Sequence, residues 1–158
     1  MSFKKIIVTG CAVAAMGFSL SAMAGATLTI TNNTNYDSAS FVNGLACSSA
    51  IPGLNGVTPR HGENKLTYVE LYIACANHEA NCTAVIYGNN SCCGAKSTDV
   101  CGNLIQAIGT ATINTSTGLQ SVNVTDPRFV ATWTKGAKGT VTIGCAASNP
   151  ELCTPPSL

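Results

Sequence analysis

The chain has 158 residues, with eight Lys and Arg set against seven Asp and Glu, so charged side chains make up only 9% of it. No basic cluster is present to release counterions from a nucleic acid or to hold an anionic membrane surface, so neither class of partner is expected. The length suits one domain, and much Thr, Asn, Ser, Ala and Gly favours β-structure with polar turns over charged surface helices.

Lys4 and Lys5 precede an apolar run from Ile6 to Leu20 that gives way to Ala22-Met23-Ala24. A charged region, an apolar region and a small-x-small site in that order predict a secretory signal peptide cleaved after Ala24. Thr9, Gly10, Ser19 and Ser21 interrupt the run, which also falls short of the roughly 20 apolar residues of a spanning helix. Val8-Thr9-Gly10-Cys11 resembles a lipobox, yet only about five residues separate Lys5 from Cys11, fewer than the roughly 7–15 of a normal apolar region. The expected organisation is therefore a cleaved signal over residues 1–24 and a single domain over residues 25–158, exported through the periplasm and secreted. Trimming leaves six basic residues against seven acidic ones, a net charge of −1.

Cys11 leaves with the signal, and Cys47, Cys75, Cys82, Cys92, Cys93, Cys101, Cys145 and Cys153 remain. An even set in an exported chain reads as disulfides, although spacing alone leaves their connectivity open. Adjacent Cys92 and Cys93 would close a strained ring, so each is expected to bond elsewhere. Cys75 with Cys82 and Cys145 with Cys153 are candidate local pairs. The intervals form no C-x-x-C-type knuckles, so neither a metal site nor a cofactor is expected.

In Ala26 to Thr31, Leu28 and Ile30 alternate with threonines, a half-buried strand ended by the turn Asn32-Asn33-Thr34-Asn35. A short strand follows through Ser40, Phe41 and Val42. The stretch from Ile51 to Lys65, rich in Pro and Gly, reads as a loop. From Leu66 to Cys75 alternation predicts a strand, with Val69, Leu71, Ile73 and Cys75 on one face and Tyr68, Glu70 and Tyr72 on the other. Its hairpin partner is Cys82 to Tyr87. Cys92 to Gly102 reads as a disulfide-tied loop. A second hairpin joins Leu104–Ile113 to Leu119–Val124 across a turn ending at Gly118. Strands Arg128–Thr134 and Thr140–Cys145 complete the set, with Trp133 expected in the core beside Phe129 and Ala131. Seven or eight short strands separated by turns predict an all-β fold, a two-layer antiparallel β-sandwich bonded by disulfides.

The segments TLTITNNTN from Thr27, NCTAVIYGNNSC from Asn81 and ATINTSTGLQSV from Ala111 resemble a group of small cysteine-containing secreted β-proteins of intracellular gammaproteobacteria, several of which leave through the type II pathway. The likeness spans about two-thirds of the exported part. It implies location and fold, and carries no catalytic residue across. The first strand also resembles that of thaumatin-like proteins, which implies sandwich architecture alone, since the further cysteines and acidic cleft of that family are not matched.

Reactive side chains are few. Tyr68, Glu70 and Tyr72, read as one strand face, are the candidate ligand-binding set, because rings beside a carboxylate can stack on a sugar or anchor a protein. No catalytic residue is assigned. The leading expectation is a non-enzymatic secreted protein that binds a protein or a glycan. One alternative is a structural subunit of a surface fibre or envelope layer, pairing through an exposed edge strand at Ala26. The other is a small hydrolase using His61 or His78, the two histidines of the chain.

Overall fold

A computed structural model describes residues 25–92, 95 and 107–155 of the protein. The expected signal segment, Cys93, Cys101 and residues 104–106 of the expected hairpin lie outside them. Ten strands occur among the described residues, in two sheets. The first sheet is built on β1 (Thr27–Asn32), which is flanked by β5 (Gly62–Leu66) and β10 (Lys138–Cys145). β9 (Phe129–Thr134) closes the far side against β10. β1 and β10 run parallel, with Thr29 opposite Thr140 and Ile30 opposite Val141, whereas β5 and β9 pair antiparallel. One pair of the expected antiparallel sandwich is thus parallel. Side chains alternate across each strand, so Leu28, Val141 and Ile143 are buried while the intervening threonines face outward.

The second sheet contains β2 (Ser38–Val42), β3 (Ala46–Cys47), β4 (Val57–Thr58), β6 (Cys82–Tyr87), β7 (Ala107–Asn114) and β8 (Gly118–Val124). Its order is β3-β2-β6-β7-β8, with β4 also on β2. The β7–β8 hairpin is the one expected from sequence. The Asn114 side chain accepts from the backbone N–H groups of Ser116 and Thr117 at 2.9 Å each, and Gly118 takes a φ of 87°. A Cβ on Gly118 would lie 1.8 Å from the Gly136 carbonyl oxygen, so both the conformation and the close approach require glycine.

Two expectations are corrected. The stretch from Ile51 to Lys65 is not all loop, because it carries β4 and most of β5. Glu63 and Lys65 face outward there, and buried Asn64 donates to the carbonyls of Asn55 at 2.6 Å and Val57 at 3.4 Å. The second correction concerns Leu66 to Cys75, which is a helix, α1 (Tyr68–Ala74), and not a hairpin strand. Thr67 caps it, with Glu70 reaching back to the Thr67 backbone N–H at 2.8 Å in a capping box. Leu71 and Cys75, one helical turn apart, are buried, while Val69 and Ile73 are exposed. The burial period is therefore that of a helix, even though the hydrophobic residues alternate.

Three disulfides lie among the described residues. Cys75–Cys82 ties the end of α1 to β6, and Cys145–Cys153 ties the carboxyl-terminal segment to β10. Cys47–Cys92 joins β3 to the chain beyond β6, over a small cluster of Ala39, Tyr87 and Cys92. Cys92 and Cys93 are accordingly not bonded to each other.

The main core lies between the sheets, and it is incompletely filled. Ala84 of β6 stands directly opposite Ala111 of β7, and Ile86 stands opposite Gly109. Small side chains at the centre of the second sheet leave an apolar cavity of about 70 Å³ under Leu28, Val141 and Ile143. At about 24 cal/mol per Å³ such a cavity costs about 1.7 kcal/mol.

The bridges differ in the length of chain they close, 45 residues for Cys47–Cys92 against 7 for Cys75–Cys82 and 8 for Cys145–Cys153. Chain-entropy scaling assigns about 4 kcal/mol to the first and about 2.5 kcal/mol to each of the others. Replacing both cysteines of a pair by alanine is expected to lower the urea midpoint most for Cys47–Cys92. Equal midpoints for the three double variants would contradict that order.

Candidate functional site

Helix α1 places its side chains differently from a strand. Tyr68 and Tyr72 fall one turn apart, with ring centroids 6.1 Å apart and planes tilted by 38°. Glu70 lies off that pair, and its carboxylate is engaged: one oxygen accepts from the Thr67 backbone and hydroxyl at 2.8 Å each, the other from the Asn55 backbone N–H at 3.4 Å. The Tyr68 ring lies against Gly25, so close that a Cβ there would sit 2.0 Å from it. Tyr68, Glu70 and Tyr72 therefore share no common face. Tyr72 instead joins Val69 and Ile73 in an exposed apolar stripe at helical spacing, with Val69 62% and Tyr72 49% exposed.

A second concave region was not anticipated from sequence. It is a polar cleft of about 240 Å³ at one end of the sandwich, lined by Asn35, Tyr36, Asp37, Arg60 and the run Gly88-Asn89-Asn90. Three separate segments meet there: the β1–β2 loop, the β4–β5 turn and the chain just past β6. Its walls are built on Asn32, which is fully buried at the end of β1. The Asn32 amide donates to the carbonyls of Tyr36 at 2.7 Å, Pro59 at 3.3 Å and Thr58 at 3.4 Å, and its oxygen accepts from the Thr34 hydroxyl at 2.8 Å. One side chain thereby fixes both the β1–β2 loop and the β4–β5 turn. Asp37 adds a second tie by accepting from the Arg60 backbone N–H at 3.0 Å. The Arg60 side chain is left exposed, and none of the described residues forms an ion pair with it. The cleft is thus lined by residues that carry a guanidinium, a carboxylate and side-chain amides, on a backbone already held in place.

His61 occupies the rim of that turn, with a φ of 49° and its Nε2 2.7 Å from the Asn35 side-chain oxygen. Its ring partner is therefore an amide, not the serine or carboxylate of a nucleophilic pair. His78 follows α1 and is exposed, its backbone N–H donating to the Cys75 carbonyl at 2.7 Å. No group of three or more His, Cys, Asp or Glu side chains is gathered to hold a metal among the described residues.

Trp133 corrects another expectation. It does share a face with Phe129 and Ala131, since it stands opposite Val141, but β9 is an edge strand and Trp133 near its end is 39% exposed. β1, by contrast, is flanked on both sides, so the strand beginning near Ala26 presents no open edge.

Fold and bridges together define an all-β sandwich with disulfide-tied loops. The chain belongs to the family described as T2SS substrate NttC, which matches residues 4–127. Membership of a family of type II secretion substrates makes it a secreted protein. The crystal structure of the Legionella pneumophila type II secretion system substrate NttC is similar in fold, with a TM-score of 0.55 and 21% identity, covering 77% of this chain and 98% of that one. No curated protein matches.

The α1 cap yields a test with a definite sign. Hydrogen bonding from the Thr67 backbone, then from its hydroxyl, holds the Glu70 carboxyl below its ordinary value, against a smaller opposing effect of burial. The stabilisation is present above the ordinary carboxylate value and is lost as pH falls through the lowered folded-state value. Asp126, lowered chiefly by the Arg128 side chain, acts in the same direction. Glu70→Gln is expected to cost about 0.5–1 kcal/mol at neutral pH and to flatten part of the acid limb of stability. Urea midpoints for wild type and variant should converge below the folded-state value, and a constant gap down to pH 2 would refute the assignment.

Proposed function

We propose that the protein, after passing through the periplasm and leaving by the type II route, acts by binding a glycan and not by catalysis, with the polar cleft as its site. The observation that carries this reading is the chemistry of that cleft. Sugar hydroxyls both donate and accept, and planar amide, carboxylate and guanidinium groups match them. A volume of about 240 Å³ suits one or two sugar units more than an extended peptide. The Asn32 and Asp37 hydrogen bonds support it further, because walls fixed beforehand lower the entropic cost of binding. The cleft also draws on three loops carried by a disulfide-bonded scaffold, the usual position of a binding site on a sandwich. The pairing of His61 with an amide gives the hydrolase alternative no comparable support.

Titration against a panel of oligosaccharides tests this directly. At least one ligand is expected to bind, and Arg60→Ala and Asp37→Ala should each weaken it by at least about tenfold, the loss of one charge-assisted hydrogen bond. Arg60→Ala should leave the thermal midpoint unchanged, since the side chain is exposed. Binding that survives both substitutions but is lost in Tyr72→Ser would move the site to the apolar stripe of α1 and favour a protein partner instead.

A further inference from the structure

The edges of the two sheets are unequally protected. In the first sheet β5 and β9 are outermost. β5 carries exposed Glu63 and Lys65, and charged side chains on an edge discourage a further strand from pairing there. In the second sheet β3 and β4 are two residues long, and β8 is bulged by an extra residue, Gln120. β9 has none of these devices. Its sequence FVATWT holds no charge, proline or glycine, and its register on β10 is unbroken. Val130 on one face is 48% exposed and Trp133 on the other 39%. Past the end of β9 a single bridge, Leu119 to Gly136, touches the second sheet, so among the described residues β9 has no ladder on its outer side.

The hydrogen-bond pattern fixes what that side offers. The Arg128 carbonyl accepts from the Ala146 N–H at 2.8 Å, and bonds to the neighbouring strand alternate along an antiparallel pair. Val130 and Thr132 therefore bond to β10, while Ala131 and Trp133 turn their N–H and C=O groups away from it. These two residues are symmetric about Thr132, so the edge matches itself when a second copy approaches antiparallel. With Thr132 of each copy on the twofold axis, Ala131 of one stands opposite Trp133 of the other, and both exchange N–H and C=O bonds.

The side chains agree with that register. On the core-facing side each exposed Trp133 ring covers the small Ala131 of the other copy. On the outer side the two Thr132 hydroxyls come together, a favourable cross-strand pair. Charge does not oppose the contact, because Lys135 comes level with neutral Phe129 of the second copy and Arg128 is already paired with Asp126 at 2.6 Å.

We propose that the protein forms a symmetric dimer through β9, the β9 strands of two copies pairing antiparallel about Thr132 to join two four-stranded sheets into one. A twofold contact of this kind closes on itself, so the pairing stops at two copies and builds no fibre. The interface is separate from the polar cleft and does not depend on the glycan reading.

Sedimentation equilibrium of the secreted, oxidised protein tests this. A single strand edge buries little area, so the expected dimer is weak, with a Kd of about 10–100 µM. The weight-average mass should be close to that of a monomer at about 1 µM and approach twice that at about 1 mM. Thr132→Lys sets like charges against each other on the axis and should weaken the dimer at least about tenfold. Its thermal midpoint at the lower concentration should match wild type, since the Thr132 side chain is exposed. Thr132→Cys gives a more exacting check of register. Residues facing each other on the axis have Cα atoms about 4.5 Å apart, within the range a disulfide spans, so a crosslinked dimer should appear on a non-reducing gel. Ser121→Cys, exposed on β8, should not crosslink. A monomer at the higher concentration overturns the proposal and leaves the edge to a different partner. A dimer that Thr132→Lys does not weaken, or that Ser121→Cys crosslinks and Thr132→Cys does not, overturns it equally by placing the contact elsewhere.

Discussion

The parallel pairing of β1 with β10 is the constraint on which the rest of the architecture depends. It sets Thr27 beside Lys138 and Asn32 beside Ile143, so the first and last strands of the domain lie together at the centre of one sheet. A parallel pair cannot be joined by a tight turn, and the intervening chain must leave the sheet and return. It does so by building the second sheet, which covers the apolar face that β1 and β10 present. The closing contact is far apart in sequence, and Cys47–Cys92 lies inside the loop so formed. A covalent link within a loop shortens the chain still free to wander, which reduces the entropy lost when its ends meet.

The same pairing decides which strands stand at the edges. With β10 on one side of β1 and β5 on the other, the hydrogen-bonding groups of β1 are used within the sheet, and β5 and β9 are left outermost. Trp133 is exposed for that reason: its direction is set by the pleat, but its neighbours on one side are missing. The pairing also carries through to the cleft. Asn32 ends β1, held by both flanking strands, and its buried side chain gathers Tyr36, Thr58 and Pro59. The rigid centre of one sheet is thereby coupled through a single amide to loops that contribute most of the polar lining. An unpaired amide at that depth would be costly, so the loop conformations and the burial of Asn32 require one another.

Much of this was legible in the amino-acid sequence, because period-two alternation is a local signal. β1, β6, β8, β9 and β10 follow from it; the β7–β8 turn was marked by its glycine, and the two short-range disulfides were candidates by proximity in sequence alone. Helix α1 was misread because Val69, Leu71, Ile73 and Cys75 alternate whether or not they form a strand. Thr67-Tyr68-Val69-Glu70 supplied the contrary signal, a capping box ahead of an apolar run. β5 was hidden by the prolines and glycines before it, and by buried Asn64, whose polarity breaks the expected pattern. The cleft could not have been read at all. Its residues are ordinary loop residues drawn from three distant stretches, and only the tertiary course of the chain brings Asp37, Arg60 and Asn90 together. Cys47–Cys92 was unreadable for the same reason, since nothing local marks either cysteine for the other.

The central alanines pose a different problem, because they run against both packing and propensity. Valine or isoleucine at positions 84 and 111 would favour the strand conformation and fill the space beneath β1 and β10. The deficit of about 1.7 kcal/mol that the cavity represents is large beside the roughly 5–15 kcal/mol of net stability in a typical domain. The three bridges, at roughly 2–4 kcal/mol each, offset it several times over. A domain held by covalent links can therefore keep a partly open interior that a domain of similar size, relying on its core alone, would be pressed to close. The bridges flank that interior without crossing it. Cys75–Cys82 lies at one wall and Cys47–Cys92 on the outer side of the second sheet, so stability and internal space come from different parts of the same fold.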